Sequence, residues 1–105
     1  MGCERKGNIS IIVKNVGDSP LDSAVVLVTG NSYKLGKIFP GDSVTTKVNP
    51  HGESHLEIDF KNAKNEKKHF VVGSYFETGY SGFMNIRLNA DSIVSVTDSI
   101  AISKY

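Results

Sequence analysis

Apolar and polar side chains alternate with a period of two over much of this chain, and this pattern constrains the fold more than any other feature. In residues 53–60, Leu56, Ile58 and Phe60 alternate with polar neighbours. Successive side chains of a strand point to opposite faces, so this segment is predicted to be a strand with one dry and one solvated face. Residues 44–48 and 84–88 alternate in the same way, as is typical of a half-solvated antiparallel sheet.

Turn-forming residues break the chain at short and fairly even intervals. The segments between these clusters of Gly, Pro, Asn, Asp and Ser are about 6 to 11 residues long and rich in Val, Ile, Thr, Phe and Tyr, which favours strands and leaves no room for an ordinary helix. We therefore predict an all-β fold, an antiparallel two-sheet sandwich of about seven or eight strands. Residues 8–105 are expected to form this single domain, after a polar N-terminal tether at residues 1–7.

Two segments, residues 9–13 and 24–28, are apolar on both faces and are expected to be central strands. The alternative is an interface that a partner covers. The inward-facing positions of all the strands predict one core. Its expected members are Ile9, Ile11, Val13, Val26, Val28, Val44, Val48, Leu56, Ile58, Phe60, Phe70, Val72, Ile86, Leu88, Val94 and Val96.

Charge and motifs exclude several classes of function. Twelve Lys and Arg against eleven Asp and Glu leave a net charge of +1, which gives no reason to expect a nucleic-acid partner. The sequence contains no Gly-x-Ser-x-Gly, no phosphate-binding glycine loop and no His-Glu-x-x-His motif. We therefore predict a protein that is not an enzyme and needs no cofactor.

The single cysteine, Cys3, directly follows Gly2, and Gly-Cys is the last pair of the signal at which bacterial lipoproteins are cut and then acylated. We expect lipid attachment at Cys3, with a leader upstream of Gly2 and Met1 as an added start. The alternative is an incidental exposed thiol. Myristoylation at Gly2 with palmitoylation at Cys3 is a further alternative, but that motif calls for Ser or Thr where Lys6 stands.

The three histidines are the only residues that suggest a metal. His51 and His55 are four residues apart, a chelating spacing on a helix, but Pro50 and Gly52 place His51 in a turn and His55 begins a strand. His69 is expected to face His55 across a hairpin. We predict solvated strand residues and no metal site, the alternative being a metal carrier or enzyme subunit centred on these imidazoles.

The densest aromatic segment, residues 73–83, is predicted to be a glycine-rich loop. Its aromatic rings either cover one end of the sandwich or are offered to a partner. A binding patch here would comprise six residues: Tyr75, Phe76, Glu77, Thr78, Tyr80 and Phe83. The lysine-rich residues 61–68 are predicted to form a solvated hairpin tip whose charges discourage edge-to-edge association, with contact to an anionic surface as the alternative.

Two short motifs resemble bacterial immunoglobulin-like domains of the cell-adhesion-related type. One is a first strand that ends in Asn-x-Gly, here residues 11–17, and the other is a Pro-Gly-Asp-Ser turn before a later strand, here residues 39–44. The resemblance covers about residues 9 to 60 and implies an immunoglobulin-like sandwich outside the cytoplasm, with no catalytic residues to carry over.

Together these features predict a non-catalytic lipoprotein of the bacterial cell envelope, periplasmic or surface-exposed, that binds or scaffolds an unknown protein or glycan partner. The membrane contact would be the lipid at Cys3. The alternative is a carbohydrate- or peptide-binding module that uses the Tyr75–Phe83 loop.

Overall fold

The elements of the chain are strands, as the period of two predicts. The computed structural model describes residues 9–28, 31–48, 54–76 and 80–102, with the backbone alone at 54, 73–76, 80–81 and 98–102. This part of the chain contains eight strands: β1 (Ile9–Asn15), β2 (Leu21–Val28), β3 (Asn31–Ile38), β4 (Ser43–Val48), β5 (Ser54–Lys61), β6 (Lys67–Phe76), β7 (Tyr80–Leu88) and β8 (Ile93–Ile102). Among the described residues, no helical segment has the length and hydropathy of a membrane span.

The strands form two four-stranded sheets that pack face to face. Sheet A has the order β4-β1-β7-β8, and sheet B has the order β3-β2-β5-β6. The two strands that are apolar on both faces, β1 and β2, are each interior in their sheet, as predicted. Their inward side chains are buried against the opposite sheet, and their outward apolar side chains, such as Ile12 and Leu27, are half-buried between the neighbouring strands. The predicted two-sheet sandwich is confirmed.

One strand pair differs from the antiparallel plan, because β1 lies parallel to β7. Their register runs from Ile9 opposite Gly82 to Asn15 opposite Leu88. The other strand pairs of the described chain are antiparallel. The period of two is the same in both kinds of pair, so the sequence pattern does not encode the direction of a neighbour.

The core lies between the sheets and is built from the inward positions of the strands. Most of its predicted members are confirmed, and Val44, Phe70, Val72 and Val96 are partly buried against it. Four core residues lie outside the predicted set: Leu21, Ala24, Ile38 and Met84. The buried apolar residues are Ile9, Ile11, Val13, Leu21, Ala24, Val26, Val28, Ile38, Val48, Leu56, Ile58, Phe60, Met84, Ile86 and Leu88.

The prediction that Val94 lies in the core is wrong, because its side chain is 54% exposed. Ile93 pairs with Leu88 and Ser95 pairs with Arg87, with a register shift between them. Val94 is therefore the extra residue of a β-bulge, where two residues of one strand oppose one of the other. The bulge turns Ile93 inward, where it packs against the core.

A buried asparagine joins the first turn to the opposite sheet. The Nδ2 atom of Asn15 donates to the carbonyl oxygen of Ser19 at 2.8 Å and to that of Ile38 at 2.9 Å. Its Oδ1 atom accepts from the backbone N–H of Gly17 at 2.9 Å. Since Ile38 ends β3 in sheet B, this one side chain holds the end of β1 to the other layer of the sandwich.

The Pro-Gly turn before β4 lies at the same corner. Gly41 has a φ of +86°, and the N–H of Asp42 donates to the carbonyl of Phe39 at 3.0 Å. This is the position at which a type II turn requires glycine. The N–H of Gly41 donates to the carbonyl of Asn15 at 2.8 Å, and the N–H of Asn15 donates to that of Asp42 at 3.0 Å. The Asn-x-Gly and Pro-Gly-Asp-Ser motifs are therefore joined in space.

Candidate functional site

Several of the predicted site residues lie outside the described part of the chain. These are Cys3, with the whole tether at residues 1–7, and also His51, Glu77 and Thr78. The predictions of lipid attachment at Cys3 and of a binding role for Glu77 and Thr78 therefore stay predictions.

The structure divides the predicted aromatic loop between two strands. Tyr75 and Phe76 end β6 in sheet B, whereas Tyr80 and Phe83 belong to β7 in sheet A. Aromatic residues favour extended backbone, and here the strands extend further into the segment than the glycines suggested. The side chain of Phe83 is 45% exposed. It points away from the core, because its neighbour Met84 is buried.

Two histidines meet around one glutamate on the outer face of sheet B. The Nε2 atom of His55 lies 2.8 Å from Oε2 of Glu57, and the Nε2 atom of His69 lies 3.2 Å from Oε1 of the same carboxylate. His69 also contacts Asp59 through Nδ1. The expectation that His69 faces His55 is wrong, because the register places His69 opposite Asp59 and His55 opposite Tyr75. The two imidazoles instead flank Glu57. No group of three or more His, Cys, Asp or Glu that could hold a metal occurs among the described residues.

The lysine-rich segment forms the predicted hairpin between β5 and β6. Its turn is organised by the Oδ1 atom of Asn62, which accepts from the N–H of Lys64 at 3.0 Å and from that of Glu66 at 2.9 Å. Asn65 has a φ of +64°, a left-handed conformation that asparagine tolerates better than most residues. These bonds satisfy the Oδ1 atom of Asn62, whose side chain is buried.

The same turn predicts a pH dependence for Glu66. The Nδ2 atom of Asn62 donates to Oε1 of Glu66 at 2.9 Å, and this bond, with the positive charge of Lys68, lowers the pKa of that carboxyl group. A carboxyl group whose pKa is lowered by folding stabilises the fold above its unfolded pKa, and this contribution is lost as the pH falls through the folded pKa. We expect the carboxyl carbon of Glu66 to titrate below the usual glutamate range in an NMR pH series.

Two variants separate the causes of the lowered pKa of Glu66. Asn62→Ala is expected to raise the titration midpoint of Glu66 the most, and Lys68→Gln is expected to raise it less, because the hydrogen bond is the larger cause. Titration of the unmodified chain at the usual glutamate value would contradict the geometry of this turn.

An open cavity of about 280 Å³ lies beside this hairpin. It is lined by Ser23, Asp59, Phe60, Lys61, Lys67, Lys68 and His69. Ser23 has a φ of +51° at a register shift in β2. The lining mixes both signs of charge, and its carboxylate, Asp59, is already paired with His69. Because Asp59 is paired, Lys61, Lys67 and Lys68 leave the lining with a net positive charge.

The outer face of sheet A, called face A below, is a polar surface whose combination of strands the sequence pattern did not predict. Its side chains alternate with the buried residues of β1, β4 and β7. At one end Lys14 lies beside Arg87, and at the other end Ser10 lies between Lys47 and Phe83. Hydroxyl and amide side chains of Thr45, Asn85 and Thr97 occupy the row between these ends, around the half-buried Ile12.

Face A could not be found from the sequence because it depends on which strands are neighbours. Lys14 and Arg87 are more than 70 residues apart in the chain and meet only through the parallel pairing of β1 with β7. The one available signal is that the polar positions of these strands include lysine and arginine but no carboxylate.

The fold and its surfaces define a two-sheet all-β domain. No protein-family model matches the chain, and no curated protein matches it. A solved structure with a similar fold is the NMR structure of a protein from Eubacterium rectale, with a TM-score of 0.55 and 12% sequence identity over 96% of this chain and 94% of that chain. At this identity the likeness is evidence for the fold alone.

Proposed function

We propose that this chain is a non-catalytic domain of a bacterial cell-envelope lipoprotein, anchored through Cys3, with a binding or scaffolding role. The binding role is supported by the hydrogen bonds of the buried polar side chains. The two buried polar residues among the described side chains, Asn15 and Asn62, hydrogen-bond to the turns and strand ends of the chain itself. The polar side chains left for a partner are therefore those of the outer sheet faces and the connections.

The anchoring part of the proposal is supported by the Gly2-Cys3 pair and the charged residues that follow it. An acyl chain on a tether would hold a small domain at a membrane surface while leaving its faces free to bind. The proposed location is accordingly the periplasm or the cell surface.

Mass spectrometry tests the anchoring directly. The full-length gene product is purified from membranes of a bacterium that processes lipoproteins, and Cys3 is expected to carry the mass of a lipid. The matched variant Cys3→Ser is expected to leave the membrane fraction. An unmodified Cys3 in such a host would end this part of the proposal.

A second candidate is a carbohydrate- or peptide-binding module built on Tyr75, Phe76, Tyr80 and Phe83. The observation that favours it is the exposure of the Phe83 ring on the outer face of β7. Chemical-shift mapping with glycan and peptide ligands is expected to perturb these four residues. Binding without any perturbation of these four residues would instead indicate that their rings cover the end of the sandwich.

A further inference from the structure

Face A has a single sign of charge. Three cations, Lys14, Lys47 and Arg87, are exposed on it, and its described side chains include no carboxylate. None of the three makes an ion pair with any described residue. These three charges are therefore left without a paired carboxylate among the described residues.

The closest of these charges are in register on neighbouring strands. Lys14 of β1 is directly opposite Arg87 of β7, and adjacent strands are roughly 5 Å apart. Like charges in this position repel one another and disfavour the pairing of their strands. An anion bound between the ammonium and guanidinium groups would reverse that repulsion, and the planar guanidinium suits a carboxylate or sulfate.

The other end of face A adds a third charge and an aromatic ring. Lys47 and Phe83 flank Ser10, which is four residues from Lys14 along β1, or about 13 Å at the rise of a strand. The row between the two ends offers hydroxyl and amide groups, which both donate and accept hydrogen bonds. The face therefore has charges at its two ends, neutral polar groups between them and one exposed ring.

We propose that face A binds an anionic polysaccharide, whose carboxylate or sulfate groups pair with Lys14, Arg87 and Lys47. Sugar hydroxyls would exchange hydrogen bonds with the middle row, and the C–H face of a sugar ring would pack on the negative face of the Phe83 ring. Charge alone would also suit an acidic peptide or an anionic lipid surface. The combination of a neutral polar row with the exposed Phe83 ring favours a sugar chain. This inference rests on the proposed binding role, but it does not depend on acylation of Cys3.

The opposite face of the sandwich offers a contrast. The outer face of sheet B mixes both signs of charge, because it carries Glu57 and Asp59, each in contact with a histidine, as well as lysines. Lys34 and Lys67 are exposed on that same face. They allow a matched control, in which two lysines are neutralised away from face A.

The test is a titration of the full chain with polygalacturonate, with dextran as the neutral polysaccharide. Binding to polygalacturonate is expected, weakening as salt is added, with none to dextran. The double variant Lys14→Gln/Arg87→Gln is expected to lose about tenfold or more in affinity, since two charge-assisted contacts are removed. Phe83→Ala is expected to weaken binding as well, whereas Lys34→Gln/Lys67→Gln is expected to leave it unchanged. Circular dichroism confirms that each variant is folded.

Three results would overturn the proposal. Equal losses in the two double variants would mean that the attraction is not located on face A. Tighter binding to poly-glutamate, or to vesicles of phosphatidylglycerol and phosphatidylcholine, would assign the face to an acidic protein or a lipid surface. No binding to polygalacturonate by the folded chain would end it. If Cys3 is acylated but the chain does not bind polysaccharide, only the anchoring proposal stands. If the Cys3→Ser variant leaves the membrane but still binds polysaccharide, the proposal for face A stands independently of the anchor.

Discussion

Replacing Ile58 by alanine is expected to lower the free energy of unfolding by about 2 to 5 kcal/mol. Ile58 has no exposed surface, and it lies in β5 between Val26 of β2 and Phe70 of β6. The substitution removes buried methyl and methylene groups and leaves a space that the rigid backbone of two sheets closes only in part. Urea unfolding followed by circular dichroism measures the loss, provided that the slope of the transition is unchanged.

Val94→Ala is the control for this prediction. Its side chain stands outside the core at the β-bulge of β8, so the same kind of truncation is expected to cost less than about 0.5 kcal/mol. A loss below about 1 kcal/mol for Ile58→Ala would place Ile58 at the surface and contradict the register of β5. Similar losses for both variants would contradict the bulge.

Replacing Asn15 by alanine is expected to destabilise the fold by roughly 2 to 4 kcal/mol, because buried backbone groups lose their hydrogen-bond partner. The groups concerned are the carbonyl oxygens of Ser19 and Ile38 and the N–H of Gly17. No other described side chain links the end of β1 to the end of β3 in this way. Thermal and urea unfolding both measure the effect.

The isosteric variant Asn15→Asp separates the hydrogen bonds from the shape of the side chain. An ionised carboxylate still accepts from Gly17 but cannot donate to the two carbonyl oxygens, and its charge is costly to bury. We expect burial to raise the pKa of the introduced carboxyl group. The Asn15→Asp variant is therefore expected to regain part of its lost stability as the pH falls and this group is protonated. Asn85→Ala, which removes an amide with no hydrogen bond to a described residue, is expected to be nearly neutral. Equal stability of Asn15→Ala and Asn85→Ala would contradict the link that the Asn15 side chain makes between the ends of β1 and β3.

The parts of the fold that depend on local pattern could be predicted. The alternation around Leu56 and Ile58 gives the buried face of β5, and the apolar runs of β1 and β2 predict two of the four interior strands. The Asn62 turn and the Pro40-Gly41 turn follow from the conformations that these residues favour. In each case the information lies within a few neighbouring residues.

The parts that depend on distant strands could not be predicted. Alternation does not specify whether a neighbour is parallel, so the pairing of β1 with β7 was missed, and with it the meeting of Lys14 and Arg87. The bulge at Val94 shifts the alternation by one residue, which a strict period of two cannot represent. The division of the Tyr75–Phe83 segment between two sheets likewise depends on where the chain crosses the sandwich.

The parallel pairing of β1 with β7 determines both the strand order of sheet A and the composition of face A. Nuclear Overhauser contacts between backbone protons of the isotope-labelled full chain test it most directly. The parallel pairing predicts contacts from Ser10 to Phe83, from Ile12 to Asn85 and from Lys14 to Arg87, in which both residue numbers rise together. Contacts in which one number falls as the other rises, or the absence of any contact between these two strands, would contradict it.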